Sequence, residues 1–491
     1  MKRSMRWYDY LTINTYGLGL STASGILTPV LLPYLIVQFT PAAEKTTYLG
    51  TLRWVGLTVA MFIQPLAGLL SDRSTLRWGR RRPFIFAGAL LSALCLLLVG
   101  LSYTLKDAHG SLFGWPLPFA VLMAGSILQQ FASNISQGAF QALIPDLVPE
   151  QQRGRASGVK SVLELLPVFL ILFIGPLVDR GLVWLVVGVV MAGYLLSMLV
   201  TLRFVHEEPL RGQPSAPLAE PVLRLAALTV IFVGITQLSV ALVKFSGAFL
   251  AGQGAALELQ VALVGLAGLA AMAGSIFLGV YLGAWVGIGA DAAQHKGFIW
   301  WVITRLLFLA AIGSIQGFAQ YYLKDVVMVE KPATMTTTLL AAVAFFLIPA
   351  ALGGGYLADR FGRKRLLALA GVIAAVGTFF LLLSGANILL IIVSGCMLGL
   401  ATGLFYATNW ALGTDLVPPE AAGKYLGISN LAGAGAGIVG ASIGGPLADF
   451  FNALPPAASG AVGTPGLGYI VIFGLYGLLF LFSSAALVRV K

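Results

Sequence analysis

Four amide side chains, Gln130, Asn134, Gln137 and Gln141, fall at i, i+4, i+7 and i+11 of an otherwise apolar stretch. At roughly 100° per residue this spacing sets them in one stripe along a helix. An amide placed in hydrocarbon needs partners for its oxygen and for its NH2 group. A row of amides facing a cavity can grip a hydroxyl-rich or other neutral polar ligand; the alternative is helix–helix glue, each amide bonding across a seam for about 1 kcal/mol. A second group could carry a proton. Glu164 follows Lys160 by one helical turn and lies about eight residues into its apolar stretch, roughly 12 Å from the edge at 1.5 Å per residue. A carboxyl at that depth is a functional candidate for proton coupling, with Lys160 or a ligand competing for it. A structural Lys160–Glu164 pair near the end of the span is the other reading.

A third chemistry is written twice. Gly68-Leu69-Leu70-Ser71-Asp72-Arg73 leads into Arg77-Trp78-Gly79-Arg80-Arg81-Arg82, and Gly354-Gly355-Tyr356-Leu357-Ala358-Asp359-Arg360 leads into Phe361-Gly362-Arg363-Lys364-Arg365. A carboxylate at a helix end beside guanidinium groups, which bind it bidentately, makes a latch that must break when two halves rock apart. Asp72 would work with Arg73, Arg77, Arg80, Arg81 and Arg82, and Asp359 with Arg360 and Arg363; Asp146 with Arg153 and Arg155 is a third candidate. The plainer reading is that these arginines only set topology. Arg305 is a deep cation that reaches either a cavity or a helix end. Lys244 reads as a packing or lipid-facing residue. Gln316, Gln320, Tyr321, Tyr406, Asn409 and Trp410 add polar and aromatic groups suited to a sugar ring, although Trp and Tyr also anchor helices at interfaces. Asn14 and Tyr16 are weaker cavity candidates.

The elements that must position these groups are membrane helices. The chain is 58% hydrophobic and 10% charged, with a mean hydropathy of +0.91, which excludes an ordinary globular protein. Apolar stretches long enough to cross roughly 30 Å of hydrocarbon recur throughout. They run over 11–39, 49–71, 83–104, 115–143, 156–178 and 182–204, then over 298–323, 334–358, 366–386, 388–413, 424–450 and 467–489. Between the two sets lie a polar, proline-bearing linker at 205–221 and two more spans, 222–250 and 257–289. The expected fold is an all-α polytopic membrane protein of about 14 helices: a bundle over 1–204, a linker with two inserted helices over 205–297, and a second bundle over 298–491. With both termini inside, 23 of the 30 Lys and Arg residues are cytoplasmic, six are external (Lys45, Arg53, Lys106, Arg180, Lys324, Lys331) and Lys244 is within a span. The positive-inside rule favours this orientation. The net charge of +11 is then a topology signal directed at the anionic inner leaflet, with no nucleic-acid partner implied.

Other features exclude more than they assign. Lys2, Arg3 and Arg6 precede a long first span with no cleavable signal, so that span is expected to remain in the mature protein. Cys95 and Cys396 fall inside apolar spans and read as small buried hydrophobes. His109, His206 and His295 map to loops, which argues against a buried metal site, and no phosphate-binding loop of the Gly-x-x-x-x-Gly-Lys-Ser/Thr type is present. No catalytic constellation and no cofactor is expected.

The doubling extends beyond the turn. Asp146-Leu147-Val148-Pro149 recurs as Asp415-Leu416-Val417-Pro418 at an offset of 269, and Gly175-Pro176-Leu177-Val178-Asp179 recurs as Gly445-Pro446-Leu447-Ala448-Asp449 at 270. The turn itself is offset by 287, so the second copy is about 18 residues shorter between these points, four of them in the turn. Carrying 287 back to the first helix starts the second half near Phe298 and makes 222–289 an insertion.

The twice-written Gly-x-x-x-Asp-Arg turn with its basic cluster resembles the major facilitator superfamily over almost the whole chain apart from the insertion. More narrowly, Gln64-Pro65, Ser71-Asp72-Arg73, Arg77-Trp78-Gly79-Arg80-Arg81-Arg82-Pro83-Phe84-Ile85 and Gln137-Gly138 with Ala142-Leu143 and Asp146-Leu147 are similar to the glycoside-pentoside-hexuronide cation symporters, particularly the sucrose-transporter branch. The resemblance implies solute transport by alternating access, usually of a sugar coupled to a cation. The pattern departs at the charged positions. The sucrose-transporter branch has an aspartate associated with proton coupling where this chain has Gln130, and an arginine associated with sugar binding at Gln141. The sodium-coupled melibiose branch has acidic residues at Ala60 and Gln64.

The expectation is therefore a monomeric secondary transporter in the cell membrane, moving a small neutral polar solute such as a glycoside, with a proton preferred over sodium as the coupling cation and the lipid bilayer as its surroundings. An efflux antiporter for amphipathic compounds, or a non-transporting assembly or sensor protein of the same fold, are the alternatives.

Overall fold

The computed structural model describes residues 5–207, 218–289, 295–416, 422–454 and 466–490. Among these residues thirteen helices are long and apolar enough to span a membrane. A fourteenth, α5 (Leu117–Gln141), has the length at 25 residues but a lower hydropathy, because it carries the amide stripe. The expected fourteen spans are thus present. The only sheet among the described residues is a two-stranded hairpin, β1 (Ser111–Leu112) and β2 (Trp115–Pro116), turned by Phe113 and Gly114 at positive φ.

Two spans are interrupted where proline removes a backbone donor. The first runs as α1 (Trp7–Ile26), one wide π turn (Leu27–Leu31) containing Pro29, and α2 (Leu32–Phe39) with Pro33 in its first turn. The fifth was expected to be continuous, but it divides at Leu166 into α7 (Arg153–Leu165) and α8 (Pro167–Asp179). Pro167 has no N–H to bond back into α7, and it takes the first position of a new helix, where none is needed.

The chain forms two compact units: Met1–Thr40 with Val59–Leu225, and Pro41–Thr58 with Ala226–Lys491. Helix α3 (Lys45–Asp72) therefore begins in the second unit and ends in the first. In the first unit α1 packs on α7, α8 and α9 (Val183–Phe204), while α4 (Arg82–Thr104) packs on α5 and α9. Lipid supplies no hydrophobic force between helices, so close backbone approach at small residues holds such bundles. At Gly88 a Cβ would lie 2.7 Å from the Ala132 carbonyl oxygen and from Ser136 N.

The second unit is built from α10 (Ala219–Gly252, from Ala226 onward), α11 (Leu257–Ile288), α12 (Lys296–Asp325), α13 (Pro332–Phe361), α14 (Arg363–Leu383), α15 (Ile388–Asp415), α16 (Ala422–Asn452) and α17 (Leu467–Ala486). Helix α15 packs on α13 and α14, α17 on α12 and α14, and α16 on α11, α12 and α17. Phe308 of α12 stacks on Phe405 of α15 with centroids 3.9 Å apart. The inserted pair belongs to this unit: Phe232 of α10 fills the space above Gly279 of α11 and Gly435 of α16. Lys244 is exposed on α10.

Candidate functional site

In the first unit the amide stripe lies on α5, a helix with no Asp, Glu, Lys or Arg along its length. Asn134 is buried and donates from Nδ2 to the Gln130 carbonyl oxygen at 2.7 Å and to Gln130 Oε1 at 3.4 Å. Gln137 is half-buried, and Gln141 is exposed at the last turn. A further amide escaped the sequence reading: buried Gln129 donates to the Tyr194 hydroxyl at 3.0 Å, tying α5 to α9. Its neighbouring position on the helix was the available signal, since Gln129 falls off the Gln130 stripe and toward a packed face.

Helices α1, α5 and α7 meet around Gly17. A Cβ there would lie 3.2 Å from the Phe140 ring and 3.3 Å from Glu164 Cγ, so glycine makes room for both. Glu164 Oε1 is 3.7 Å from Lys160 Nζ, and the ammonium also stands 5.8 Å from the Phe140 ring centroid. Tyr16 is fully buried beside them, edge-on to Phe140 at 5.5 Å, with its hydroxyl donating to Ser136 Oγ at 2.7 Å. Asn14 donates from Nδ2 to the Tyr10 and Ala156 carbonyl oxygens at 2.8 and 3.1 Å, and its buried Oδ1 has no partner among the described residues. The structure thus gathers Tyr16, Lys160 and Glu164 in one neighbourhood.

The turn after α3 is a charged knot. Arg81, 3% exposed, donates from Nε to Asp146 Oδ2 at 2.8 Å, from Nη1 to Ser71 Oγ at 2.5 Å and to the Gly68 carbonyl oxygen at 3.3 Å, and from Nη2 to Asp72 Oδ1. Arg80 completes Asp146 at 2.5 Å. Asp146, expected beside Arg153 and Arg155, therefore takes Arg80 and Arg81, while Arg153 donates to the Pro145 carbonyl oxygen at 3.1 Å and Arg155 is exposed. Arg82 donates to the Leu202 carbonyl oxygen at 2.5 Å; Arg73 is half-buried and Arg77 is exposed. Sequence reasoning missed Glu207, whose Oε2 accepts the backbone N–H groups of Arg81 and Arg82 at 2.9 and 3.1 Å. Its signal was an acid placed directly after the last span of the first repeat.

The second turn differs. Helix α13 passes to α14 through Gly362 alone, at φ +89°, so there is no loop to fold a basic side chain back. Asp359 and Arg360 are exposed, Asp359 makes no ion pair among the described residues, and Arg363 donates to the Ala411 carbonyl oxygen at 3.2 Å. The latch expected there does not form in this structure.

The candidate residues of the second unit fall on α12 and α15. The Arg305 guanidinium lies 5.8 Å from the Trp301 ring, whose Nε1 donates to the Asn409 carbonyl oxygen at 3.0 Å. Asn409 is buried, with no partner for Oδ1 among the described residues, whereas Tyr406 is 53% exposed. Gln316 lines an apolar recess with Ile312, Thr336, Leu339 and Leu398. Gln320 and Tyr321 are buried one turn further on. The Trp410 side chain lies outside the described residues. Among the described residues no group of His, Cys, Asp and Glu could hold a metal ion.

A family model described as Major Facilitator Superfamily matches residues 16–328 and 306–490. Similar curated proteins include the sucrose transport protein SUT1 of Oryza sativa subsp. japonica, 35% identical over 123 residues (23% of this chain, 22% of that protein). Another is the sucrose transport protein SUC4 of Arabidopsis thaliana, 37% identical over 95 residues (19% of each). The matched region spans about a fifth of the length of these relatives. Among solved structures, a peptide transporter POT in complex with sulfate aligns at a TM-score of 0.64 with 14% identity, covering 99% of this chain and 95% of that one. A D-xylose-proton symporter aligns at 0.59 with 15% identity, covering 98% and 97%. At these identities the structural likeness concerns the fold alone.

Proposed function

The chain belongs to the major facilitator superfamily, and we propose that it is a secondary active transporter that moves a small neutral polar solute, a sugar or glycoside, by alternating access. The observation that carries this reading is α5, which has four amides in one stripe and no ionisable side chain. Amides donate and accept without net charge, which suits hydroxyl groups and disfavours ions. The partial similarity to sucrose transport proteins supports the same substrate class.

In this reading Gln130, Asn134, Gln137 and Gln141 bind solute, joined by Asn14, Tyr16, Arg305, Gln316, Gln320, Tyr406, Asn409 and Trp410. Glu164 carries the coupling proton, with Lys160 as the cation that competes for its carboxylate; intramembrane acids are costly and therefore read as functional. Asp72, Asp146 and the surrounding arginines form the cytoplasmic gate, with Asp359, Arg360 and Arg363 engaging in another state of the cycle. Bundles over 1–204 and 298–491 rock about the bound solute, and the 205–297 insertion rides with the second. The protein works as a monomer in the cell membrane with both termini cytoplasmic.

Counterflow in proteoliposomes with a mixed solute panel tests this. Exchange of sugars or glycosides is the expected result. Exchange of amphiphiles alone would make the protein an exporter of such compounds, and exchange of nothing would leave an assembly or sensor role for the fold.

A further inference from the structure

One motif of the repeat, Gly445-Pro446-Leu447-Ala448-Asp449, has no part in the sites above. It lies in the last two turns of α16, in the second unit, which also contains the N-terminal part of α3. The Asp449 carboxylate is buried, at 8% exposure, and it is fully engaged by the start of α3. Thr46 N donates to Oδ1 at 3.3 Å, Thr47 N donates to Oδ2 at 2.6 Å, and the Thr46 hydroxyl donates to Oδ1 as well. Helix α3 begins at Lys45, so these are N–H groups that no helical carbonyl can accept, at the positive end of the helix dipole. Their alternative partner is water.

The glycines explain how α16 comes so close. A Cβ on Gly445 would strike the Thr46 carbonyl, and a Cβ on Gly50 would lie 2.5 Å from the Ala441 carbonyl oxygen. Asp449 follows Gly445 by one helical turn, which aims its carboxylate at the helix start that the glycine has admitted. A second contact stands beside it: Lys45 Nζ meets Asp325 Oδ2 at 2.5 Å and stands 5.4 Å from the Tyr321 ring centroid.

We propose that the motif ending in Asp449 is the external latch of the transport cycle, a carboxylate clamp that holds the start of α3 on α16 and must let go before the outer side opens. The proposal rests on the alternating-access reading, and on an orientation that places the start of α3 outside. A single helix carries the consequence: α3 starts in the second unit and ends in the first, so it cannot follow both while the clamp holds. Asp449 is a positioning residue and touches no solute.

The test uses the full chain in proteoliposomes with Cys95→Ala and Cys396→Ala, and one reporter, Leu49→Cys, at a residue of α3 that is wholly buried here. A membrane-impermeant maleimide applied from outside measures its exposure. Asp449→Asn keeps the shape but turns an NH2 group on the α3 N–H groups, and it should raise the labelling rate at least tenfold. Asp107→Asn, on an exposed residue of the 105–116 loop, should leave it unchanged. If Asp449→Asn fails to fold, Thr46→Val, which removes only the hydroxyl donor, takes its place and should raise labelling about threefold. An unchanged rate in the folded clamp variant, or an equal rise in the Asp107 control, overturns the proposal. Labelling needs no solute, so a wrong substrate class would silence counterflow and leave this readout intact.

Discussion

Arg81→Lys isolates what the guanidinium contributes to the charged knot after α3, because charge is retained and only the fork is lost. Arg81 uses Nε, Nη1 and Nη2 on Asp146, on Ser71 with Gly68, and on Asp72. A lysine ammonium on its flexible stem can satisfy one carboxylate at a time. Hydrogen bonds to charged groups contribute about 1.5–3 kcal/mol each when both partners are shielded. Asp72 is 52% exposed and can rehydrate, so its lost bond falls in the surface range of under about 1 kcal/mol. Asp146 is 18% exposed and keeps Arg80, which limits the cost on that side. The buried Ser71 hydroxyl and Gly68 carbonyl then dominate, and the sum is about 2–3 kcal/mol. For a unit of 150–250 residues each kcal/mol moves the thermal midpoint by about 2–4 °C, giving a fall of roughly 4–12 °C in detergent. Transport should fall with it, while Asp146→Asn added to Arg81→Lys should cost less than the two changes summed, because they share one network. A midpoint within about 1 °C of the parent, or strict additivity, would refute the bonding scheme.

Gly79→Ala places a Cβ at φ +101° and 2.5 Å from both Cβ and Oε2 of Glu207; the combined strain should cost about 2 kcal/mol, read as a lower thermal midpoint, with a smaller fall in a Glu207→Gly background, where both contacts are gone. Gln130→Leu and Asn134→Leu should each raise the KM for solute at least tenfold in counterflow while the protein elutes and melts as the parent does; a lower melting point with unchanged KM would assign the stripe to helix packing instead. Glu164→Gln should abolish the dependence of uptake on a proton gradient yet retain counterflow, whereas gradient-driven uptake like that of the parent would remove Glu164 from the coupling role.

The class of fold was legible because membrane spans are written in composition, and the repeat because two copies carry the same turn. Even α5, the least hydropathic of the spans, was legible as the apolar stretch 115–143, and its amide spacing marked it out within that set. Pairing was less accessible. Asp146 lies within ten residues of Arg153 and Arg155 in sequence, yet Arg80 and Arg81 reach it from the turn after α3, more than sixty residues away. Nearness along a chain says little once a proline and a single tight turn intervene, as Pro149 and Glu150–Gln152 do here. Glu207 stayed hidden for a related reason: it holds backbone N–H groups, and backbone donors leave no mark in a sequence. The same holds for Asp449. Its motif was visible as a repeat marker, but the groups it binds are the unsatisfied first N–H groups of another helix.

Helix α3 shows why the two ends behave differently. At its start, Asp449 approaches the positive end of the dipole and the free N–H groups, so the carboxylate and the helix attract without any arginine. At its other end Asp72 sits on the negative pole, where an anion is disfavoured, and it depends on Arg81 for compensation. The knot at Asp72 thus needs its basic turn, and the turn needs room. The second repeat has lost four residues there, joins its helices through Gly362, and leaves Asp359 on its own negative helix end in solvent. The longer turn is bonded within the first unit, where Arg81 holds both Asp72 and Asp146, whereas the shortened turn leaves its carboxylate to water.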